Sequence, residues 1–146
     1  MNIIIYVILA ITCSTWSEQL DNPNGWLRVQ ATREGLVGKT TASGHVIQVE
    51  DLFVALPDRS VLGRDIAVKV GNSVVICRVL DIGPHSLTDP YWQSGSRPLA
   101  ETGLRSPISW GKARNRAGID LSDGLWDHFG LDRKKGIVPV EWKFLN

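Results

Sequence analysis

Val79-Leu80-Asp81-Ile82-Gly83-Pro84-His85 ends a long apolar segment, residues 73–81, and begins a region rich in glycine and proline. A nearly continuous apolar segment is typical of a strand buried on both faces, and a Gly-Pro pair ends it. We therefore expect Asp81 at a strand end, beside apolar neighbours and open to solvent at the edge of the sheet. Loss of water favours the protonated form of a carboxyl group, which suits a general acid. The alternative is an aspartate that caps the turn through backbone hydrogen bonds.

Further strands are predicted on both sides of this segment, at residues 26–34, 46–57, 65–70 and 138–144. Gly71-Asn72 predicts a two-residue hairpin. Ser122 is a good N-cap for one short helix, which Gly130 ends. Residues 83–118 contain many Gly, Ser and Pro without periodicity, which predicts a long loop. The outline is that of an all-β domain, a small closed barrel of about six strands.

The chain has 146 residues, 43% of them hydrophobic, 21% charged and with a net charge of +1. This length suits one globular domain. A nearly neutral chain lacks the basic surface that duplex nucleic acid requires, so no nucleic-acid partner is expected. Nothing in the sequence indicates an oligomer, and we expect a monomer.

The N-terminus carries a separate signal. Residues 3–11, IIIYVILAI, form an apolar run too short to span a bilayer, and small polar residues follow it. This pattern predicts a signal peptide over residues 1–17 and a mature domain over 18–146, secreted or periplasmic. A buried strand is the alternative, and Cys13 leaves a weaker alternative of a lipoprotein. Cleavage would leave Cys77 without a cysteine partner.

Cofactor motifs are weak throughout the sequence. GLVGKTT (35–41) resembles a phosphate-binding loop, but the required first glycine is replaced by Arg33. His45, His85 and His128 are scattered without the spacing of metal ligands. The sequence therefore predicts no metal and no other cofactor.

Two further groups of residues are candidates for a site. Asp120, in Ile119-Asp120-Leu121-Ser122, is either a second catalytic carboxylate or a residue that binds loop amides. Tyr91, Trp92 and Trp110 lie in the long loop and either stack on sugar rings or pin the loop to the barrel. Two carboxylates beside one cleft is the arrangement used in glycoside hydrolysis.

Several short motifs occur in a familiar order: Thr41-Ala42-Ser43-Gly44, Val54-Ala55-Leu56-Pro57, Leu62-Gly63, residues 79–84 and residues 118–122. In this order and spacing the chain resembles the rare-lipoprotein-A-like double-psi β-barrel family over about residues 26–145. The same motifs are similar to the barrels of lytic transglycosylase A, the expansins and the barwin-type endoglucanases.

The resemblance implies a six-stranded double-psi barrel with a groove that binds β-1,4-linked glycan, in bacteria peptidoglycan. It implies that Asp81 protonates the glycosidic oxygen while the muramyl 6-hydroxyl attacks, giving a 1,6-anhydro end. Asp120 matches the family's second acid, and Thr41 and Ser43 match a groove-lining loop.

Three departures accompany the resemblance. The family's Ala-Ala-His becomes Leu52-Phe53-Val54-Ala55 here, so the assisting histidine is missing and His85 is the candidate substitute. The endoglucanases place a base near the end of the first strand, where this chain has Glu34. An insertion at about residues 86–116 is atypical of the compact members.

The leading hypothesis is an exported peptidoglycan lytic transglycosylase that uses Asp81. The alternatives are a non-catalytic expansin-like polysaccharide-binding module and a two-carboxylate hydrolase of the endoglucanase type. A protein that only binds a partner through its insertion is a fourth hypothesis, which no feature of the sequence favours.

Overall fold

The computed structural model describes Leu20, residues 22–103 and residues 116–146. The predicted signal peptide of residues 1–17, with Cys13, lies outside the described residues. Part of the predicted insertion also lies outside them, including Trp110. No helix within the described residues is long and apolar enough to cross a membrane.

Six strands and two short helices make up the described chain. The strands are β1 (Leu27–Arg33), β2 (Phe53–Leu56), β3 (Asp65–Val70), β4 (Ser73–Ile82), β5 (Ile119–Leu121) and β6 (Ile137–Phe144). The helices are α1 (Tyr91–Ser94) and α2 (Asp123–His128), and 3-10 turns lie at Pro23–Gly25 and Arg59–Val61. The strands close into a barrel in the order β1-β5-β2-β4-β3-β6. The predicted all-β class and six-stranded closed barrel are therefore confirmed.

The barrel mixes parallel and antiparallel pairs. β1 and β5 are parallel, as are β2 and β4, whereas the other four pairings are antiparallel. Parallel partners need long crossovers: residues 57–72, which include β3, join β2 to β4, and residues 34–118 lie between β1 and β5. These crossovers bring residues distant in sequence to the same edge of the barrel.

Local sequence patterns account for the long strands. In β6, Val138, Val140 and Trp142 are buried on one face while Pro139 is exposed, as alternation requires. β3 and β4 form the predicted hairpin, with Gly71 in its turn at a φ of +59°. Ser122 caps α2, and its hydroxyl accepts a hydrogen bond from the Leu125 N–H.

Three local predictions are wrong. Residues 46–52 are not part of a strand, since they fold into turns and leave Val46, Val49 and Leu52 exposed. β4 is not buried on both faces, because Val74 and Ile76 point to solvent with exposed fractions of 50% and 66%. The region 83–118 is not without structure, because helix α1 forms within it and adds a second short helix.

The core fills the barrel and continues beneath helix α2. Its largest fully buried side chains are Trp126, Trp142, Tyr91, Phe53, Ile47, Leu56 and Ile66. Leu20 is also buried against the core, and its N–H donates to the Gly95 carbonyl at 2.8 Å. The chain just before β1 is thereby attached to the turn after α1.

Candidate functional site

Strand pairing brings two aspartates to either side of one small residue. Ala55 on β2 is in register with Asp81 on β4 and with Asp120 on β5. Ala55 itself is 1% exposed, whereas both aspartates are only partly buried. The two carboxyl groups predicted from the sequence therefore lie on strands that flank β2.

Glu34 joins this pair from the end of β1. Its N–H donates to the Leu121 carbonyl at 2.9 Å, which continues the β1–β5 ladder by one residue. Its side chain forms a hydrogen bond with Asp81. The Glu34 Oε2 atom is buried and receives no hydrogen bond from another protein group. We call Glu34, Asp81 and Asp120 the carboxyl cluster.

Burial and mutual repulsion perturb this cluster. The pKa of Glu34 rises from 4.5 to about 10, first because of desolvation, then through its hydrogen bond to Asp81 and repulsion by the neighbouring acids. The pKa of Asp120 rises to about 7, again mainly by desolvation. The Thr32 hydroxyl donates to Asp120 Oδ1 and partly opposes that rise. At neutral pH the cluster therefore holds at least one exchangeable proton.

Backbone donors hold Asp81 in place. The N–H groups of Ala42 and Ile82 each donate to its Oδ1 at 2.9 Å. The loop that carries Ala42 is tied to β4 by a further bond, from the Ser43 N–H to the Leu80 carbonyl at 3.1 Å. The capping role considered for Asp81 is thus present, alongside its place in the carboxyl cluster.

The Thr-Ala-Ser-Gly loop lies against Asp81, with its two hydroxyl residues in different environments. Thr41 is buried, and its Oγ1 lies 2.9 Å from the Ser43 Oγ and accepts from the His45 N–H at 3.2 Å. Ser43 is exposed next to the cluster. Of the two predicted groove residues, Ser43 has the accessible side chain and Thr41 supports the loop.

The segment after β4 approaches the cluster closely. Gly83 has a φ of +151°, and a Cβ atom there would lie 3.2 Å from Asp120 Oδ2. Gly83 is thus required both by its backbone conformation and by the nearby carboxyl group. His85, the candidate substitute for the missing histidine, follows at a φ of +53° and is partly buried.

Tyr91 lies in the core. It is 1% exposed, its hydroxyl donates to the Gly118 carbonyl at 2.8 Å, and the same oxygen accepts from Trp142 Nε1 at 2.9 Å. These contacts favour the alternative in which Tyr91 pins the loop to the barrel. A side chain with this burial offers no face to a sugar ring.

Trp92 packs beside Tyr91, partly buried. Its ring meets those of Trp142 and Phe144 edge to face, with centroids 5.6 Å apart in each case. We call Tyr91, Trp92, Trp142 and Phe144 the aromatic cluster. Trp92 also lines an open cavity of about 420 Å³ together with Phe144. Its partners are rings of β6 rather than the carboxyl cluster.

The structure adds a pair that the sequence did not indicate. His45 Nε2 lies 2.6 Å from Asp51 Oδ2, and this contact spans the turns between the Thr-Ala-Ser-Gly loop and β2. The pKa of Asp51 is lowered, although burial opposes this, by the Gln48 N–H and by His45. A separation of six residues in a turn-rich loop carries no recognisable motif. Among the described residues, no cluster of acids, histidines and cysteines has a metal-binding arrangement.

A family model described as "Domain of unknown function (DUF8814)" matches residues 25–107. The comparison with curated proteins gave no match.

The solved structures that share the fold include the following two. The Streptomyces papain inhibitor (SPI) is 18% identical with a TM-score of 0.51, covering 86% of this chain and 100% of its own. The apo expansin of Clavibacter michiganensis is 16% identical with a TM-score of 0.50, covering 83% of this chain. The chain spans half the length of that expansin. Both are double-psi β-barrels, so the predicted fold class is confirmed.

Proposed function

The chain belongs to the family described as Domain of unknown function (DUF8814), and we propose that it is an exported protein that binds and cleaves a β-1,4-linked cell-wall glycan. The observation that carries this proposal is the carboxyl cluster, in which Glu34 and Asp81 share a hydrogen bond and Asp120 lies across Ala55. Glycoside cleavage needs a carboxyl group that is still protonated at working pH, and this cluster contains one.

The substrate we propose is peptidoglycan, and the reaction is that of a lytic transglycosylase. Support comes from the resemblance of residues 79–84 and 118–122 to the rare-lipoprotein-A-like barrels. In this reaction a proton reaches the glycosidic oxygen, and the 6-hydroxyl of the muramyl sugar attacks the anomeric carbon of that sugar. Asp81 takes part in that proton transfer, and the exposed Ser43 lies on the loop that approaches it.

The direct experiment is mass spectrometry of the products after incubation with purified peptidoglycan sacculi. We expect anhydro-muropeptides from the unchanged protein and a loss of about 10²–10⁴-fold in rate for Asp81→Asn. Asp65→Asn is the matched control, because Asp65 lies exposed on β3 in an ion pair with Arg78. The control variant is expected to keep full activity.

Each other outcome points to a different conclusion. Reducing-end products would make the protein a two-carboxylate hydrolase and would direct the next variants to Glu34 and Asp120. Binding to sacculi without any product would leave a non-catalytic, expansin-like module. Full activity of Asp81→Asn would remove Asp81 from the mechanism, and the absence of binding to any polysaccharide would end the proposal.

A second candidate is inhibition of a papain-like cysteine proteinase. It is favoured by the exposed apolar side chains between β1 and β2, which are Leu36, Val37, Val46, Val49 and Leu52. Large exposed apolar side chains are typical of protein-binding surfaces where they form one patch. Leu36 is also held at a φ of +62°, a conformation rare for leucine. Titration of papain activity tests this function, with Leu36→Asp as the variant expected to weaken inhibition.

A further inference from the structure

We propose that Glu34 and Asp81 act as one proton-sharing pair in which Glu34 carries the proton that is delivered to the glycan. The inference rests on the proposed function and assigns the two carboxyl groups different roles. Asp81 is then the acceptor of the pair rather than the acid itself.

The hydrogen bonds around the pair assign the proton. Two ionised carboxylates only accept, so a hydrogen bond between Glu34 and Asp81 requires a proton on one of them. Asp81 already accepts from the N–H groups of Ala42 and Ile82, which suits a carboxylate. Glu34 Oε2, by contrast, is buried and no protein group donates to it. A proton on Glu34 supplies the donor that its hydrogen bond to Asp81 needs.

The surroundings of Glu34 favour the same assignment. Asp81 on β4, Asp120 on β5 and Asp123 on α2 all repel a charge on Glu34. Two arginines pair with Asp123: Arg33 Nη1 binds Asp123 Oδ1 at 2.8 Å, and an Arg133 nitrogen lies 3.9 Å from Asp123 Oδ2.

On the adjacent loop, His45 is bound to Asp51. Arg33, Arg133 and His45 are therefore each paired with an aspartate.

The pair accounts for a complete cycle of protons. Glu34 gives its proton to the glycosidic oxygen as the bond from that oxygen to the anomeric carbon breaks, and the leaving sugar departs as an alcohol. Asp81 takes the proton of the attacking 6-hydroxyl of the same sugar as the new carbon–oxygen bond forms. The proton then returns from Asp81 to Glu34 along their hydrogen bond. Every proton is recovered, and no other reactant is needed.

The test is a carbon-13 NMR titration of the glutamate carboxyl groups in the full chain without glycan. Glu34→Gln identifies the Glu34 signal by removing it. We expect Glu34 to titrate near pH 10 in the unchanged protein. In Asp81→Asn, where one repelling charge and one of the two acceptor oxygens are lost, the midpoint is expected to move to lower pH. In the matched variant Asp65→Asn it is expected to stay.

Two results would overturn the pair. One is a Glu34 midpoint close to the ordinary 4.5 in the unchanged protein. The other is a midpoint that moves no further in Asp81→Asn than in Asp65→Asn. Because the first measurement uses the unchanged protein, a misfolded variant does not affect it.

Activity separates this inference from the proposed function. A high Glu34 midpoint without any glycan product keeps the pair and contradicts cleavage. Product formation with an ordinary midpoint keeps cleavage and contradicts the pair. If both hold, Glu34→Gln is expected to lose about 10²–10⁴-fold in rate while still binding sacculi. Full activity of Glu34→Gln would overturn the inference.

Discussion

Buried polar atoms form hydrogen bonds in the aromatic cluster, whereas one of them has no hydrogen-bond donor in the carboxyl cluster. In the aromatic cluster, Trp142 Nε1 donates to the Tyr91 hydroxyl, which itself donates to a carbonyl. In the carboxyl cluster, three acidic groups adjoin one another and Glu34 Oε2 lacks a donor. The first region lowers the free energy of the fold, whereas the second stores unfavourable electrostatics. Such strain is typical of sites that bind or react.

The largest expected effect lies in the aromatic cluster. Trp142→Ala removes a fully buried indole that packs on Tyr91, Trp92 and Phe144. We expect the free energy of unfolding to fall by about 3–5 kcal/mol, measured by urea denaturation. Asp81→Asn keeps an acceptor oxygen for its two backbone donors and should lose far less. Equal losses in the two variants would remove the distinction between the clusters.

A smaller loss is expected when only one hydroxyl is removed. Tyr91→Phe keeps the ring but leaves Trp142 Nε1 and the Gly118 carbonyl without their partner. Burying unpaired groups costs about 1–3 kcal/mol, and thermal unfolding will measure it. Glycan binding by the folded variant should be unchanged, because the Tyr91 side chain is buried. If the variant is as stable as the unchanged protein but no longer binds glycan, Tyr91 would instead have a role in glycan binding.

In the carboxyl cluster the expected effect has the opposite sign. Glu34→Gln removes a group whose pKa is about 10 in the folded state against 4.5 ordinarily. Between these pH values the folded chain binds more protons than the unfolded chain, so stability falls as pH rises. The stabilisation from protonated Glu34 is complete below pH 4.5 and is lost as the pH passes 10.

We therefore expect Glu34→Gln to be more stable than the unchanged protein at pH 9, with little difference near pH 4.5. Protonated Asp120 also stabilises the folded chain at low pH, and this stabilisation is lost as the pH passes about 7. Denaturant unfolding at several pH values checks this, with the exposed Glu50→Gln as control. Parallel pH profiles for Glu34→Gln and the unchanged protein would contradict a protonated Glu34.

Local sequence patterning predicted the elements that depend only on neighbouring residues. Alternation indicated β6, Gly71-Asn72 the hairpin, and Ser122 the start of α2, and all three are observed. It failed for residues 46–52, because apolar residues there face solvent within turns and only Phe53–Leu56 form β2. It failed for β4 because alternate apolar residues on that strand lie outside the barrel.

The sequence alone predicts a small β-barrel and places Asp81 at the end of a strand. Both follow from neighbours within a few residues, through side-chain periodicity and turn chemistry. Only the tertiary structure brought Glu34 to Asp81 and placed Asp120 across Ala55, since parallel pairing joins strands far apart in the chain. The tertiary structure also buried Tyr91. The sequence of a loop does not decide whether an aromatic residue packs in the core or faces solvent. Burial and proximity set the protonation of a carboxyl group, so the chemistry of this site appears only when the barrel closes.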